Sequence, residues 1–183
     1  SRFKKQVKSI RSKKINKTHI ILYSGMFSEW GGVNLLIDAF NKIKGSNVEL
    51  WICGFGNDLN IRLSAEKNKN INLFGMVSED ELYKLSLRAS VLINPRPKNV
   101  NGNLMNFPSK LLEYLTYCKP VISTRTPGIP KEYEDICYMV DDDADSIGQA
   151  ILVTINKDND DLLKLATNTF NFLKNKKWSS QIA

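Results

Sequence analysis

The chain has 183 residues, 42% hydrophobic and 25% charged, the composition of a single globular domain with a core of ordinary size. No apolar run approaches the ~20 residues needed to span a bilayer. The three cysteines are scattered and there is one histidine, which excludes a disulfide scaffold and a zinc site and points to a reducing, cytoplasmic compartment. The net charge of +7 is unevenly placed: residues 1–17 hold eight Lys/Arg and no acid, leaving 18 basic against 19 acidic residues from 18 onward, so basicity belongs to the N-terminal segment and does not mark a nucleic-acid-binding fold.

In chain order, residues 1–17 read as a basic, solvated interdomain linker or tail, whose removal is expected to leave the fold intact. If helical, the segment would align Phe3, Val7 and Ile10 on one face, which is the pattern of a peripheral membrane contact. "HIILYS" (19–24) reads as a buried strand, followed by a glycine-bearing loop from Gly25 to Gly32. "VNLLIDAFNKIK" (33–44) has helical spacing and Gly45 is placed to end it. "VELWIC" (48–53) is a strand, "GFGND" a turn, and a short polar helix runs to about 68. "INLFG" (71–75) is a third strand. Ser78 with Glu81 forms a capping box that opens a helix to about Arg88. "SVLINP" (90–95) is a fourth strand, and the loop that follows reaches Phe107. "NFPSKLLEYLTYCKPVIS" (106–123) passes from loop to helix to strand, with Leu111, Leu112, Leu115 and Cys118 as the expected apolar face. "GIPKEYED" is a short helix or turn, "CYMV" (137–140) a sixth strand, and two helices close the chain at about 144–156 and 158–175.

Six alternations of strand and helix predict an α/β, Rossmann-like domain over 18–157: a doubly wound, parallel six-stranded sheet with helices on both faces. Residues 158–183 form a separate C-terminal helical segment. In such sheets ligands bind beyond the carboxyl ends of the strands, where the strand order reverses. Gly25, Gly54-Phe55-Gly56, Gly75, Asn94-Pro95-Arg96 and the helix start at Pro108 all follow strand ends and are expected to converge on one crevice. A helix start beside glycine turns suits a phosphate, and Lys110 and Glu113 stand at its rim. As a merely solvated pair, these two would contribute only about 0.2–0.5 kcal/mol.

Other signals are weaker. Leu59 replaces the third glycine that a dinucleotide fingerprint needs after Gly54 and Gly56, and no GxxxxGK[ST] run exists. Asp141-Asp142-Asp143 precedes a helix and reads as cap and loop rather than as a metal-binding pair of acids. Trp30 and Trp178 are candidate stacking platforms, with Trp178 read as an anchor for the last helix. The asparagine-rich loop 95–106 reads equally as a sugar-binding loop and as ordinary turn sequence.

Taken in order, "GVNLLIDAF", "VELWICGFG", "INLFGMVSEDELYKL", "ASVLINPR" and "FPSKLLEYLTYCKPVIS" resemble the C-terminal, donor-binding half of GT-B glycosyltransferases. The likeness is to retaining family 4, and within it to a polysaccharide-biosynthesis subgroup. The resemblance implies transfer of a hexosyl group from a nucleoside diphosphate sugar to a growing surface glycan or lipid-linked acceptor, without a metal or other cofactor. It also implies an N-terminal partner domain, to which the last helix would cross back. It places Glu113 on the ribose, Gly25 near the diphosphate, and backbone at Phe74, Gly75, Met76 and Val77 on the base. Gly54 belongs to the same donor-binding set. The N–H groups after Phe107, over Pro108, Ser109, Lys110 and Leu111, would face the diphosphate, with Lys110 and Arg96 as the catalytic cations. Three positions depart from the family pattern: Met26 and Gly31 stand where it usually has cations, and Met105 where it usually has an acid. A sugar-nucleotide epimerase of the same fold, and an inactive sugar-nucleotide-binding module, are the alternative readings.

Overall fold

The computed structural model describes residues 2–11, 18–45, 47–100 and 106–176. Met105 and Trp178, both singled out in the sequence, lie outside the described residues, as does the part of loop 95–106 over 101–105.

Six strands form one all-parallel sheet: β1 His19–Phe27, β2 Val48–Gly56, β3 Ile71–Gly75, β4 Val91–Asn94, β5 Val121–Thr124 and β6 Tyr138–Val140, in the order β3-β2-β1-β4-β5-β6. The winding reverses between β1 and β4, as in the doubly wound folds expected from the alternation of elements. Both faces are covered. Helices α2 Val33–Asn41, α3 Leu59–Lys67 and α6 Ala144–Ile155 pack Leu36, Phe40, Ile61, Ile147 and Ile151 against Ile21, Leu50 and Ile52. Helices α4 Glu79–Arg88 and α5 Ser109–Leu115 cover the other face, with Leu85, Leu111, Tyr114 and Leu115 against Leu22 and Leu92. Strands buried on two sides must be apolar at successive positions, which is why the central strands show continuous apolar runs instead of alternation.

The expected elements are present, with several boundaries moved. β1 and β2 each continue three residues beyond the expected end, pairing Gly25 with Gly54, Met26 with Phe55 and Phe27 with Gly56, so "GFG" is strand and not turn. Helix α2 stops at Asn41, short of Gly45. The Ser78 cap accepts the Glu81 N–H at 3.2 Å. On α5 the apolar face is Leu111, Tyr114, Leu115 and, just beyond the helix, Cys118; Leu112 is 42% exposed. Leu112 sits about 100° around the helix from Leu111, on the side away from the sheet. The "GIPKEYED" segment is a 3-10 turn, Lys131–Asp135.

The basic segment is the largest departure from expectation. Residues Arg2–Arg11 are helical (α1), and their apolar face meets protein instead of water or lipid. Ile10 is buried with Cys118 and with Ala166 of α7, Asn159–Asn175, and Phe3 stacks on Phe170 with ring centroids 4.5 Å apart. Arg2 lies over the Tyr117 ring at 4.4 Å and hydrogen-bonds the Thr116 hydroxyl. A charged face with an apolar stripe is as well satisfied by a neighbouring helix as by solvent or a membrane, and composition does not distinguish them.

Burial pushes the three thiols up, to about 12 at Cys53 and Cys137 and about 11 at Cys118. The folded chain therefore holds these protons over a range where the unfolded thiols, with an ordinary value of 9.0, give them up. Their contribution to stability is complete below about pH 9 and is lost as pH rises toward the folded values. We expect the native protein at pH 8 to resist a thiol-reactive probe at all three sites, and its denaturation midpoint to fall between pH 9 and 11. Rapid labelling of Cys53 at pH 8 would contradict its burial.

Candidate functional site

At the reversal point, the carboxyl ends of β1, β2, β3 and β4 and the start of α5 enclose a cleft of about 450 Å³, within the size range of small-molecule sites. Its floor is Ser24, Cys53, Ile93, Asn94 and Tyr114. Tyr114 is fully buried; its hydroxyl accepts the Ser24 N–H at 2.8 Å and donates to the Ser24 carbonyl at 3.1 Å. These two bonds hold α5 against the end of β1 and thereby fix where Lys110, one turn earlier, stands. The Asn94 amide donates to Ser123 at 2.9 Å, joining β4 to β5 beneath the cleft.

Two cations line the cleft, Arg96 and Lys110. The Arg96 carbonyl accepts a hydrogen bond from Thr124, which anchors the loop after β4. Lys110 is one-third exposed and pairs with Glu113 at 2.7 Å. The lining also has an apolar part, formed by Met26, Trp30, Phe55 and Met76, each more than half exposed. Tyr23 is buried; burial raises its phenol well above the usual range, an effect that nearby Arg96 opposes.

Of the residues singled out in the sequence, Gly25, Gly54, Met76, Val77, Arg96 and Lys110 line this one cleft. Glu113 stands behind Lys110 as its partner. Ser109 is exposed at the first turn of α5, where Leu111 N–H is already bonded to the Pro108 carbonyl at 2.9 Å. The Leu111 side chain and Pro108 are buried, and Phe107 packs on Tyr133 with centroids 5.1 Å apart, so side chains at these three positions face the core. Phe74 packs on Trp51 and, with Gly75, borders a neighbouring groove outside β3. Tyr23, Cys53, Leu82 and Tyr114 were not singled out. Tyr114 alone carried a signal, its place three residues after Leu111.

Among the described residues no group of three or more His, Cys, Asp or Glu is placed to hold a metal ion. Asp143 caps α6, accepting the Ser146 N–H at 2.8 Å, and Asp142 binds Lys98 through both its backbone N–H and its ammonium, at 2.9 and 3.0 Å. Both acids are thus used in capping and in tying down the loop after β4. Within the described residues no helix is long and apolar enough to cross a membrane.

Residues 18–157 match the family described as glycosyl transferases group 1. No curated protein matches the chain. Among solved structures, the chain is similar to the C-terminal domain of a glycosyl transferase group 1 family protein, LpcC, of Francisella tularensis, with a TM-score of 0.69 at 18% identity over 93% of this chain and 92% of that one. It is also similar to the catalytic domain of cholesterol-α-glucosyltransferase of Helicobacter pylori, with a TM-score of 0.72 at 16% identity over 88% and 100%. A third similar structure, Alr3699/HepE of Anabaena in complex with UDP-glucose, has a TM-score of 0.65 at 16% identity; the likeness covers 84% of this chain and 43% of that protein. At these identities the likeness is one of fold.

Proposed function

The chain belongs to the glycosyl transferases group 1 family, and from that premise we propose that it is the donor-binding half of a retaining, family 4 glycosyltransferase of the GT-B type. The complete enzyme moves a hexosyl group from a nucleoside diphosphate sugar to a growing surface glycan or lipid-linked acceptor. In this reading the chain binds the donor, and transfer requires a second domain that brings the acceptor. The observation that carries the reading is the cleft at the sheet's reversal point, lined by Arg96 and Lys110, with Glu113 at hydrogen-bond distance from Lys110. The UDP-glucose complex of the similar Anabaena protein supports the choice of ligand class.

The chemistry follows from charge. As the bond between the anomeric carbon and the phosphate oxygen breaks, the electron pair leaves with the diphosphate. Fixed cations beside that oxygen stabilise the developing charge without a metal, and Arg96 and Lys110 take this role. Glu113 accepts hydrogen bonds from the ribose hydroxyls. Of the expected base contacts, backbone at Met76 and Val77, which line the cleft, meets the base.

Calorimetry with uridine or guanosine di- and monophosphates tests this reading. Glu113→Ala should weaken both ligands alike, by about 1.5–3 kcal/mol if a charge-assisted bond is lost. Lys110→Ala should weaken the diphosphate more than the monophosphate, with a penalty that shrinks as salt rises. A chelator should leave the parent affinity unchanged. If neither substitution moves affinity by more than about half a kcal/mol, the pair is a surface ion pair only and the ligand lies elsewhere.

A further inference from the structure

The residues that line the cleft are chemically uneven. Both lining cations come from the loop after β4 and from α5. Tyr23 to Met26 at the end of β1, with Trp30 and Gly31, contribute no charged side chain, although Arg96 lies near Tyr23. Two neighbouring backbone donors are committed: Gly31 N–H bonds the Ser28 carbonyl at 3.1 Å and the Ser28 hydroxyl at 3.3 Å, and Gly32 N–H bonds the Glu29 carbonyl at 3.2 Å.

A buried hydroxyl and the carbonyl it holds shape this part of the cleft. Tyr23 Oη donates to the Met26 carbonyl at 2.8 Å and is otherwise enclosed by Gly25 and Gly31. A Cβ built at Gly25 would lie 2.9 Å from that hydroxyl, and one at Gly31 would overlap both the hydroxyl and the Met26 carbonyl it holds. A side chain of any kind at position 31, a lysine included, therefore has no room while the Tyr23–Met26 bond is made. Burial also keeps the phenol protonated, and so a donor, throughout the neutral range.

We propose that Tyr23 is a positioning residue that, with the Met26 carbonyl it holds, keeps positions 25 and 31 free of side chains, so that anion recognition in this cleft rests on Arg96 and Lys110 alone. This rests on the reading of the cleft as a nucleoside diphosphate site.

A double-mutant cycle tests it on the whole chain with two independent readouts. The variants are Tyr23→Phe, Gly31→Lys and the two combined. The first readout is the thermal midpoint without ligand. Tyr23→Phe should fold with a small loss. Gly31→Lys should melt far lower or fail to fold. The combined variant should recover part of that loss, because one of the two groups that a side chain at position 31 overlaps is then gone. Equal damage from Gly31→Lys with and without the hydroxyl would overturn the positioning role. The second readout is affinity for UDP and UMP at low and high salt. In the Tyr23→Phe background, Gly31→Lys should tighten UDP several-fold at low salt and UMP less. An equal gain from Gly31→Lys alone would show that the hydroxyl excludes nothing, and would overturn the proposal. If the parent binds neither nucleotide, the ligand reading fails, while the thermal cycle still decides the role of Tyr23.

Discussion

Replacing Gly54 by alanine is expected to remove much of the domain's stability and to abolish ligand binding in the cleft. Gly54 has φ of 142°, a conformation that side chains rarely adopt, and it pairs directly with Gly25. A Cβ at this position would overlap the Gly25 carbonyl and lie 3.0 Å from the Phe27 ring. The obstacle is backbone within a central sheet pairing, so it does not swing aside as a flexible side chain would. Backbone strain of about 1–3 kcal/mol and a similar cost for overpacking together approach the lower end of the ~5–15 kcal/mol that holds a domain folded. Gly75→Ala is the matched control: its φ of 67° is also left-handed, but nothing lies within 4 Å of the added carbon. That substitution should cost only the strain of the left-handed backbone, about 1–2 kcal/mol. Urea denaturation of both variants separates the two terms. Equal losses would mean that the β1–β2 pairing relaxes freely around the added carbon.

Deleting α1 is expected to lower the thermal midpoint sharply, although the residues involved look like a solvated tail. The deletion uncovers Cys118, Ala166 and the partly buried Leu162 and Leu163, and removes the buried Ile10 and the Phe3 ring stacked on Phe170. Full burial of an isoleucine contributes about 1.5–3 kcal/mol, and the half-buried Phe3 adds only part of a similar amount. The contact from Arg2 to Tyr117 and Thr116 is lost as well. Thr116 in turn donates to the Glu113 carbonyl at 2.6 Å, so the C-terminal end of α5 also loses a brace. Ile10→Ala should reproduce a loss of about 2–5 kcal/mol, whereas the exposed Lys8→Ala should stay within about 0.5 kcal/mol. A truncated chain that melts like the parent would show that α1 is an appendage.

The sheet was legible because its evidence is local. Apolar runs such as "IILY" and "ELWIC", separated by helical periods, specify buried parallel strands with crossovers, since no other arrangement buries both faces. The crevice was legible for the same reason: the strand ends are known once the strands are. The Ser78 cap could be read off because its hydrogen bond closes over three residues. Helix and strand ends were less legible. β1 and β2 run on through Gly25 and Gly54 because each supplies the other's partner, and glycine, which locally favours a turn, permits close pairing only when a second strand is present.

What the residues determined by themselves was the α/β class, the alternation of elements, the end of the sheet at which a site forms, and the isolation of positive charge in residues 1–17. Tertiary structure alone decided the rest. It buried the apolar face of α1 against α7, where the same amphipathic pattern would equally serve a linker or a lipid surface. It left Leu112 exposed and put Tyr114 in the core in its place. It placed the Tyr23 hydroxyl under Gly25 and Gly31, and it brought Arg96 and Lys110 into one cleft. The physical reason is range. Propensity, period and capping act over a few residues along the chain, whereas which face a helix finds, and which carbonyl a buried hydroxyl meets, depend on segments brought together only when the sheet closes.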